Sequence, residues 1–389
     1  MRIAIILALL AALPAAAVEI ATGKMLGAGY DARAFYTRAH AGRPWTKTYT
    51  GPRFRPEAAG RLMNLRIAQA IVHDEWLTEF PFDPEKNTDR VIAALDTYKA
   101  HGILAINVSL QAGNPGYNKE VAEIKRDRAY KAGPGKGMHT SAFRPDGSLK
   151  PAWMARLKRL QRALDQRGMI LNLMYFYQSQ DEIFPDTASI ERATANATDW
   201  LIDNDCRNVV IDIANEFDIR GWDHDYWIMK NLDRLIGIVR ERFREKKAAF
   251  AVPVSSSTGP STEVIPQIRD HADLTIIHGN NKPIEFKGRR TAELYADPKM
   301  PGPILMNEDD SGRETTPAVL RNELASCDAV FRAGGSWGYM PWRQTQMFPF
   351  RHYMPARTSA LREGMPPEES DPIYFKAVLE HIRGLVMKP

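Results

Sequence analysis

Eight short apolar segments alternate with helix-length amphipathic ones between residues 61 and 345, which predicts an α/β chain folded as a closed (β/α)8 TIM barrel. Two further observations lead to the same fold. Alternation implies parallel strands, because parallel neighbours need a crossover between them. No G-x-G-x-x-G opens the first unit, so the nucleotide-binding form of an open doubly wound sheet loses support.

The elements follow in order. "RLMNLR" (61–66) reads as the first barrel strand, and "NTDRVIAALDTYKAHG" (87–102) as a helix with a Thr or Asn cap and a closing Gly. Strand two is "ILAINVSL" (103–110), then helix 150–168 and strand three, "MILNLMYFY" (169–177). Helix 189–204 leads to strand four at 208–214, and helix 224–247 leads to strand five at 249–256. Helix 261–271 precedes strand six at 273–279, and a helix near 289–297 precedes strand seven at 302–308. Helix 316–335 and strand eight, "SWGYMPW" (336–342), complete the set, and residues 346–389 form a C-terminal segment whose helix packs on the barrel. A long Gly- and Pro-bearing loop, 111–149, leaves the end of strand two, where such barrels carry their chemistry.

Ahead of the barrel, residues 18–60 are expected to hold a hairpin turning near Gly42-Arg43-Pro44, placed either under the barrel floor or in the site wall. "MRIAIILALLAALPAAA" (1–17) has an early Arg, an apolar run and small residues before Val18, the pattern of a secretory signal peptide. It is too short for a comfortable membrane span, and no other segment suits one, so a secreted or periplasmic mature protein is expected. Two cysteines in 389 residues, Cys206 and Cys327, are no disulfide framework, and the layout sets them apart. The net charge of +5 is mild, and its densest run, "RERFREKK" (240–247), mixes signs at a helix end, which favours a solvated face over a nucleic-acid patch, so no nucleic-acid partner is expected.

Strand ends carry the chemistry of this fold. Here they offer Asn64 and Arg66; Asn107, Ser109 and Gln111; Tyr175, Tyr177 and Gln178; Asn215, Glu216 and Asp218; Ser255 and Ser256; His278 and Asn280; Asn307, Glu308 and Asp309; and Trp337 with Trp342. Amides, hydroxyls and rings suit a hydroxyl-rich ligand, so a carbohydrate partner is expected, with Asn107, Tyr177, Trp337 and Trp342 among its contacts. Two carboxylates across one mouth, Glu216 and Glu308, are the machinery of glycoside hydrolysis. Asn215 beside Glu216 supplies a hydrogen bond to a substrate hydroxyl.

This layout resembles clan A of the glycoside hydrolases, the retaining (β/α)8 enzymes. In that clan an Asn-Glu pair closes strand four, its Glu being the acid/base, and a nucleophilic Glu closes strand seven. The resemblance implies Glu216 as acid/base, Glu308 as nucleophile, His278 and Arg66 as groups that orient Glu308, an aromatic floor at Trp337 or Trp342, and no cofactor or metal. Phe217 stands where many members have Pro, and Asp309 and Asp310 add charge beside Glu308. The chain also resembles a group of secreted bacterial proteins that share "NEDD"-like and "HGN" stretches.

Rival readings remain. "GGSWG" (334–338), with Asp371 and His381 downstream, fits the spacing of a serine-hydrolase elbow, but a helix precedes it and a strand follows, the reverse of what that turn needs. A metal-dependent hydrolase would need ligand-spaced histidines, and the nine present include no H-x-H pair. A barrel that binds glycans or proteins without cleaving them uses the same side chains; the separation of the two carboxyls discriminates. No residue pattern names a sugar, a linkage or an oligomeric state.

Overall fold

The computed structural model describes residues 17–73, 82–112, 140–178, 180–219, 222, 224, 227–310, 312, 314–346, 350 and 353–389. Residues 1–16, which hold most of the expected signal peptide, most of the 111–149 loop, Asp74 and Tyr226 lie outside these residues.

Eleven strands are described. An antiparallel sheet comprises β1 (Val18–Thr22), β2 (Phe35–Ala39) and β3 (Thr46–Lys47). The barrel strands are β4 (Asn64–Arg66), β5 (Ala105–Ser109), β6 (Ile170–Tyr177), β7 (Val209–Asn215), β8 (Val254–Ser255), β9 (Thr275–His278), β10 (Ile304–Asp309) and β11 (Ser336–Tyr339). They pair in parallel in the order β8-β7-β6-β5-β4-β11-β10-β9. The two end strands meet through a Ser257–Ile276 bridge and an Asp273 N–H donating to Val254 O at 2.9 Å, which nearly closes the ring.

Eight helices of six or more residues are described around the barrel: α1 (Pro84–Ala100), α2 (Pro151–Gln166), α3 (Thr187–Asp203), α4 (Leu232–Glu245), α5 (Pro266–His271), α6 (Ile284–Ala296), α7 (Pro317–Arg332) and α8 (Pro367–Val386). Their starts follow from local chemistry. Asp83 accepts from the N–H groups of Glu85 and Lys86 and Pro84 fills the first turn, so α1 begins ahead of the expected Thr or Asn cap. Asp186 and Thr316 cap α3 and α7 in the same way. The expected helix 224–247 is instead a turn at Trp227–Lys230 and then α4, parted at Asn231. Strand five shrinks to two residues because Pro253 has no N–H for the ladder. No described helix is long and apolar enough to cross a membrane.

The hairpin of β2 and β3 has the expected place in the sequence, and β1 adds a third strand beside it. Val18, Ile20 and Phe35 cluster with Leu62, Ala105, Ile170, Val210, Leu274, Ile276 and Leu305 at the N-terminal ends of the barrel strands. This small sheet is therefore a plug under the floor, away from the strand ends that carry the carboxylates. Cys206 and Cys327 are both buried and free.

Inside β11, Gly338 leaves no room for a side chain: a Cβ there would lie 2.1 Å from Asn64 Oδ1 and 2.7 Å from Met306 O. Gly338→Ala is expected to cost about 1–3 kcal/mol by overpacking, read as a lower midpoint in chemical denaturation.

Candidate active site

Two local distortions aim the carboxylates. Glu216 follows β7 with φ of 51°, the left-handed region that non-glycine residues seldom occupy. Its backbone is held there: Glu216 N–H donates to Ser257 Oγ at 3.3 Å, and Trp222 Nε1 donates to Glu216 O at 3.1 Å. In β10 the pairing register slips after Met306 against both neighbours, a β-bulge. Asn307 and Glu308 consequently both face the interior, where strict alternation would aim only one of them there.

Four strand ends converge on these groups. The Arg66 guanidinium is buried; its Nε lies 2.8 Å from Glu308 Oε2, its NH2 donates to Asn215 Oδ1 at 2.9 Å, and its NH1 contacts Met174 Sδ at 3.2 Å. Asn280 Nδ2 donates to Glu308 Oε1 at 2.5 Å, while its Oδ1 accepts from Asp310 N–H. His278 Nδ1 lies 3.0 Å from Glu216 Oε1 and 3.6 Å from Glu308 Oε2, so the imidazole bridges both carboxylates and sits nearer Glu216. Gln178 donates from Nε2 to Glu216 Oε2 at 3.2 Å and accepts from Asn215 Nδ2 at 3.0 Å. Glu216, His278 and Glu308 each present a ligating atom within 4.8 Å of the others.

Charge is distributed accordingly. Burial alone pushes the Glu308 carboxyl up, but Arg66, His278 and Asn280 together outweigh it and hold the group below the usual carboxylate range. Burial pulls the His278 imidazole down, and the charges of Glu308 and Glu216 overcome that and raise it above its ordinary value. Side-chain exposure is 12% at Glu216 against 7% at Glu308 and none at His278, so Glu216 is the better placed of the three to meet solvent or a leaving group.

The other expected contacts divide. Tyr177 closes β6 with its ring 5.9 Å from the Arg66 guanidinium, and so lies at the site. Asn107 is fully buried and donates to Asn64 Oδ1 at 2.7 Å and to Asn307 O at 2.5 Å, an internal brace in place of a ligand contact. Trp337 is a correction to the expected sugar floor. It is fully buried, donates from Nε1 to Asp309 Oδ2 at 2.8 Å and stacks on Tyr339, which stacks in turn on Tyr374 of α8. The ring faces the helical layer because Gly338 is the inward residue of that strand. Trp342 lies beyond the strand, in a π-helical turn at Trp342–Gln346, and keeps 9% exposure.

Asp309 points outward like Trp337. It pairs at 2.7 Å with the buried Lys287 of α6, which also donates to Ser326 of α7. Asp309 thus anchors β10 to two helices and adds no charge to the mouth. Gln178 and Asn280 were visible as strand-end amides, but their roles depend on contacts across the barrel that spacing does not show.

The serine-hydrolase rival fails on geometry. Ser336 begins β11 and its Oγ accepts from Leu62 N–H at 2.8 Å, whereas Asp371 pairs with Arg343 and His381 with Asp328, so no hydrolase triad forms. Glu216, His278 and Glu308 make up the one group with metal-site spacing among the described residues. The fixed positive charge of Arg66, 2.8 Å from Glu308 Oε2, would repel a cation held there.

The barrel is similar to solved glycoside hydrolases. A glycoside hydrolase family 5 protein from Bacteroides vulgatus ATCC 8482 superimposes with a TM-score of 0.51 at 12% identity, over 82% of this chain and 64% of that one. The present chain thus spans less than two thirds of that protein's length. A GH5-4 broad specificity endoglucanase from Clostridium longisporum gives 0.52 at 9% identity, over 84% of this chain and 97% of that one. A family 5 xyloglucanase from Paenibacillus pabuli, solved with a ligand, gives 0.50 at 9% identity over 83% and 98%. The likeness is one of fold. No described protein family matches the sequence, and no curated protein matches it either.

Proposed function

We propose that the protein is a secreted glycoside hydrolase that cleaves O-glycosidic bonds of an oligo- or polysaccharide with retention of anomeric configuration. The observation that carries this reading is the approach of Glu216 and Glu308, whose carboxylate oxygens come within 4.8 Å. So close an approach of the nearest oxygens supports the short separation of retaining enzymes, about 5–5.5 Å, over the wider gap of about 6.5–9.5 Å in inverting ones.

Glu308, ionised and oriented by Arg66 and Asn280, attacks the anomeric carbon as the glycosidic C–O bond breaks. Glu216 gives its proton to the leaving oxygen. A glycosyl ester on Glu308 results; water then attacks the same carbon, Glu216 takes the proton, and Glu308 leaves as the carboxylate. His278 sits between the two carboxylates and accommodates the movement of charge from one to the other. Asn215, fixed by Arg66 and Gln178, is oriented to meet a sugar hydroxyl beside the reacting carbon. Export rests on the leader-like first seventeen residues, and N-terminal sequencing of protein from the culture fluid or periplasm should begin at Val18.

A panel of aryl glycosides and plant or bacterial glycans tests the reading. Glu216→Ala should lower turnover of natural glycans by about 10²–10⁴-fold, and far less for aryl glycosides with acidic leaving groups. Proton NMR of the first product should show the retained anomer. An inverted product, or wild-type rates in Glu216→Ala on natural glycans, would sink the proposal.

A further inference from the structure

Beneath the two proposed catalytic glutamates lies a third carboxylate. Asp212 is fully buried in β7 and its side chain faces the barrel interior. Its Oδ1 accepts from Ser257 N–H at 2.9 Å and its Oδ2 from Asn307 Nδ2 at 3.1 Å, the latter bond crossing the barrel from β10. Each partner leads to one glutamate. Ser257 Oγ accepts the N–H of Glu216, and Ser257 O accepts the N–H of Phe217, so Ser257 holds both peptides of the left-handed turn. Asn307 immediately precedes Glu308, and the bulge brings both side chains inward. From below, Asn107 pins Asn307 through its carbonyl.

A buried carboxylate is a costly way to accept two hydrogen bonds, and burial pushes the Asp212 carboxyl up to about 6. An asparagine of the same shape has one acceptor atom and serves only one of the two donors. A carboxylate serves both, on opposite sides, and so couples two strand ends that are not neighbours in the sheet. A turn held at positive φ persists only where its surroundings over-determine it.

We propose that Asp212 is a positioning residue that sets Glu216 and Glu308 in register with one another, through Ser257 on one side and Asn307 on the other. This inference rests on the glycosidase reading of those two glutamates. It also gives Asn107 a place in the same brace.

Steady-state kinetics of Asp212→Asn, Ser257→Ala and the double variant test it, with a thermal melt of each. Asp212→Asn should lose about a hundredfold in kcat with KM within about twofold, the cost of a misplaced catalytic group. Because both residues act through one chain of contacts, the double variant should be no slower than Asp212→Asn alone. Amide hydrogen exchange at Glu216 and Phe217, which needs no substrate, should speed up in both single variants. Should the wild type prove inactive on every glycoside while exchange at these amides rises, the positioning role holds and the glycosidase reading falls. If Asp212→Asn fails to fold, Ser257→Ala, which leaves the buried charge in place, must show the same kcat loss and faster exchange. Wild-type kcat, a change confined to KM, or additive losses in the double variant would each overturn the proposal.

Discussion

Glu308→Gln should lower turnover of an aryl glycoside by roughly 10⁴-fold or more, since a residue that forms the covalent bond has no substitute within the site. The amide keeps the volume of the carboxyl and an acceptor for Arg66, so circular dichroism should change little, while the melting temperature should fall because the buried guanidinium loses its counter-charge. The removed quantity is the negative charge that attacks. A companion variant sharpens the test. In Glu308→Gly, a small anion such as azide should enter the vacated space and restore part of the turnover, and its glycosyl product should carry the inverted configuration. Near-wild-type turnover in Glu308→Gln would remove Glu308 from the chemistry and return the barrel to a binding role.

Arg66→Met should produce the largest loss of stability of any single change at the site. Arg66 is the cation that permits a carboxylate at Glu308, a position with only 7% side-chain exposure. Breaking a buried pair from one side costs about 3–5 kcal/mol, because the remaining charge is left uncompensated. Chemical denaturation at neutral pH reads this directly. The pH dependence should also change sign. In the wild type the folded pKa of Glu308 lies below its unfolded value; its stabilising contribution is present above the unfolded pKa and lost as pH falls through the folded one. Without Arg66, burial becomes dominant and the folded pKa rises above the unfolded value. The carboxyl then destabilises the fold as pH rises through that window. Denaturation midpoints of the two proteins measured from pH 3 to 8 (about 25 °C) should therefore diverge as pH increases. Parallel curves would show that Arg66 does not control the charge of Glu308.

Much of this architecture is legible in the amino-acid order. The strand from Ile170 to Tyr177 and the helix from Pro317 to Arg332 lie within a few residues of where apolar runs, caps and terminal glycines place them. The carboxylates were legible too, because a charge ending an apolar strand in a barrel has few structural reasons to be there. What the sequence could not show was parity. Side chains alternate along a strand, so a single bulge changes which residues face inward. The bulge in β10 brings Asn307 in with Glu308 and sends Asp309 out to Lys287, so the first Asp of "NEDD" does not crowd the site with charge. Parity also misled at Trp337, where Gly338 takes the inward place. Strand β1 was missed for a different reason: five residues directly after a leader-like run carry too little pattern to stand out.

That short strand has a consequence for how the chain assembles. Val18 and Ile20 find their partners among residues spread from Leu62 to Leu305, one contribution from nearly every barrel strand. No subset of the early chain can satisfy them. β1 precedes every barrel strand in the chain, so its apolar face is fully covered only once β10 is in place. Non-local contacts of this kind slow folding and leave unpaired strand edges exposed to other chains meanwhile. The plug is thus a late-closing seal, and the interval before it closes is when this protein is most vulnerable to aggregation.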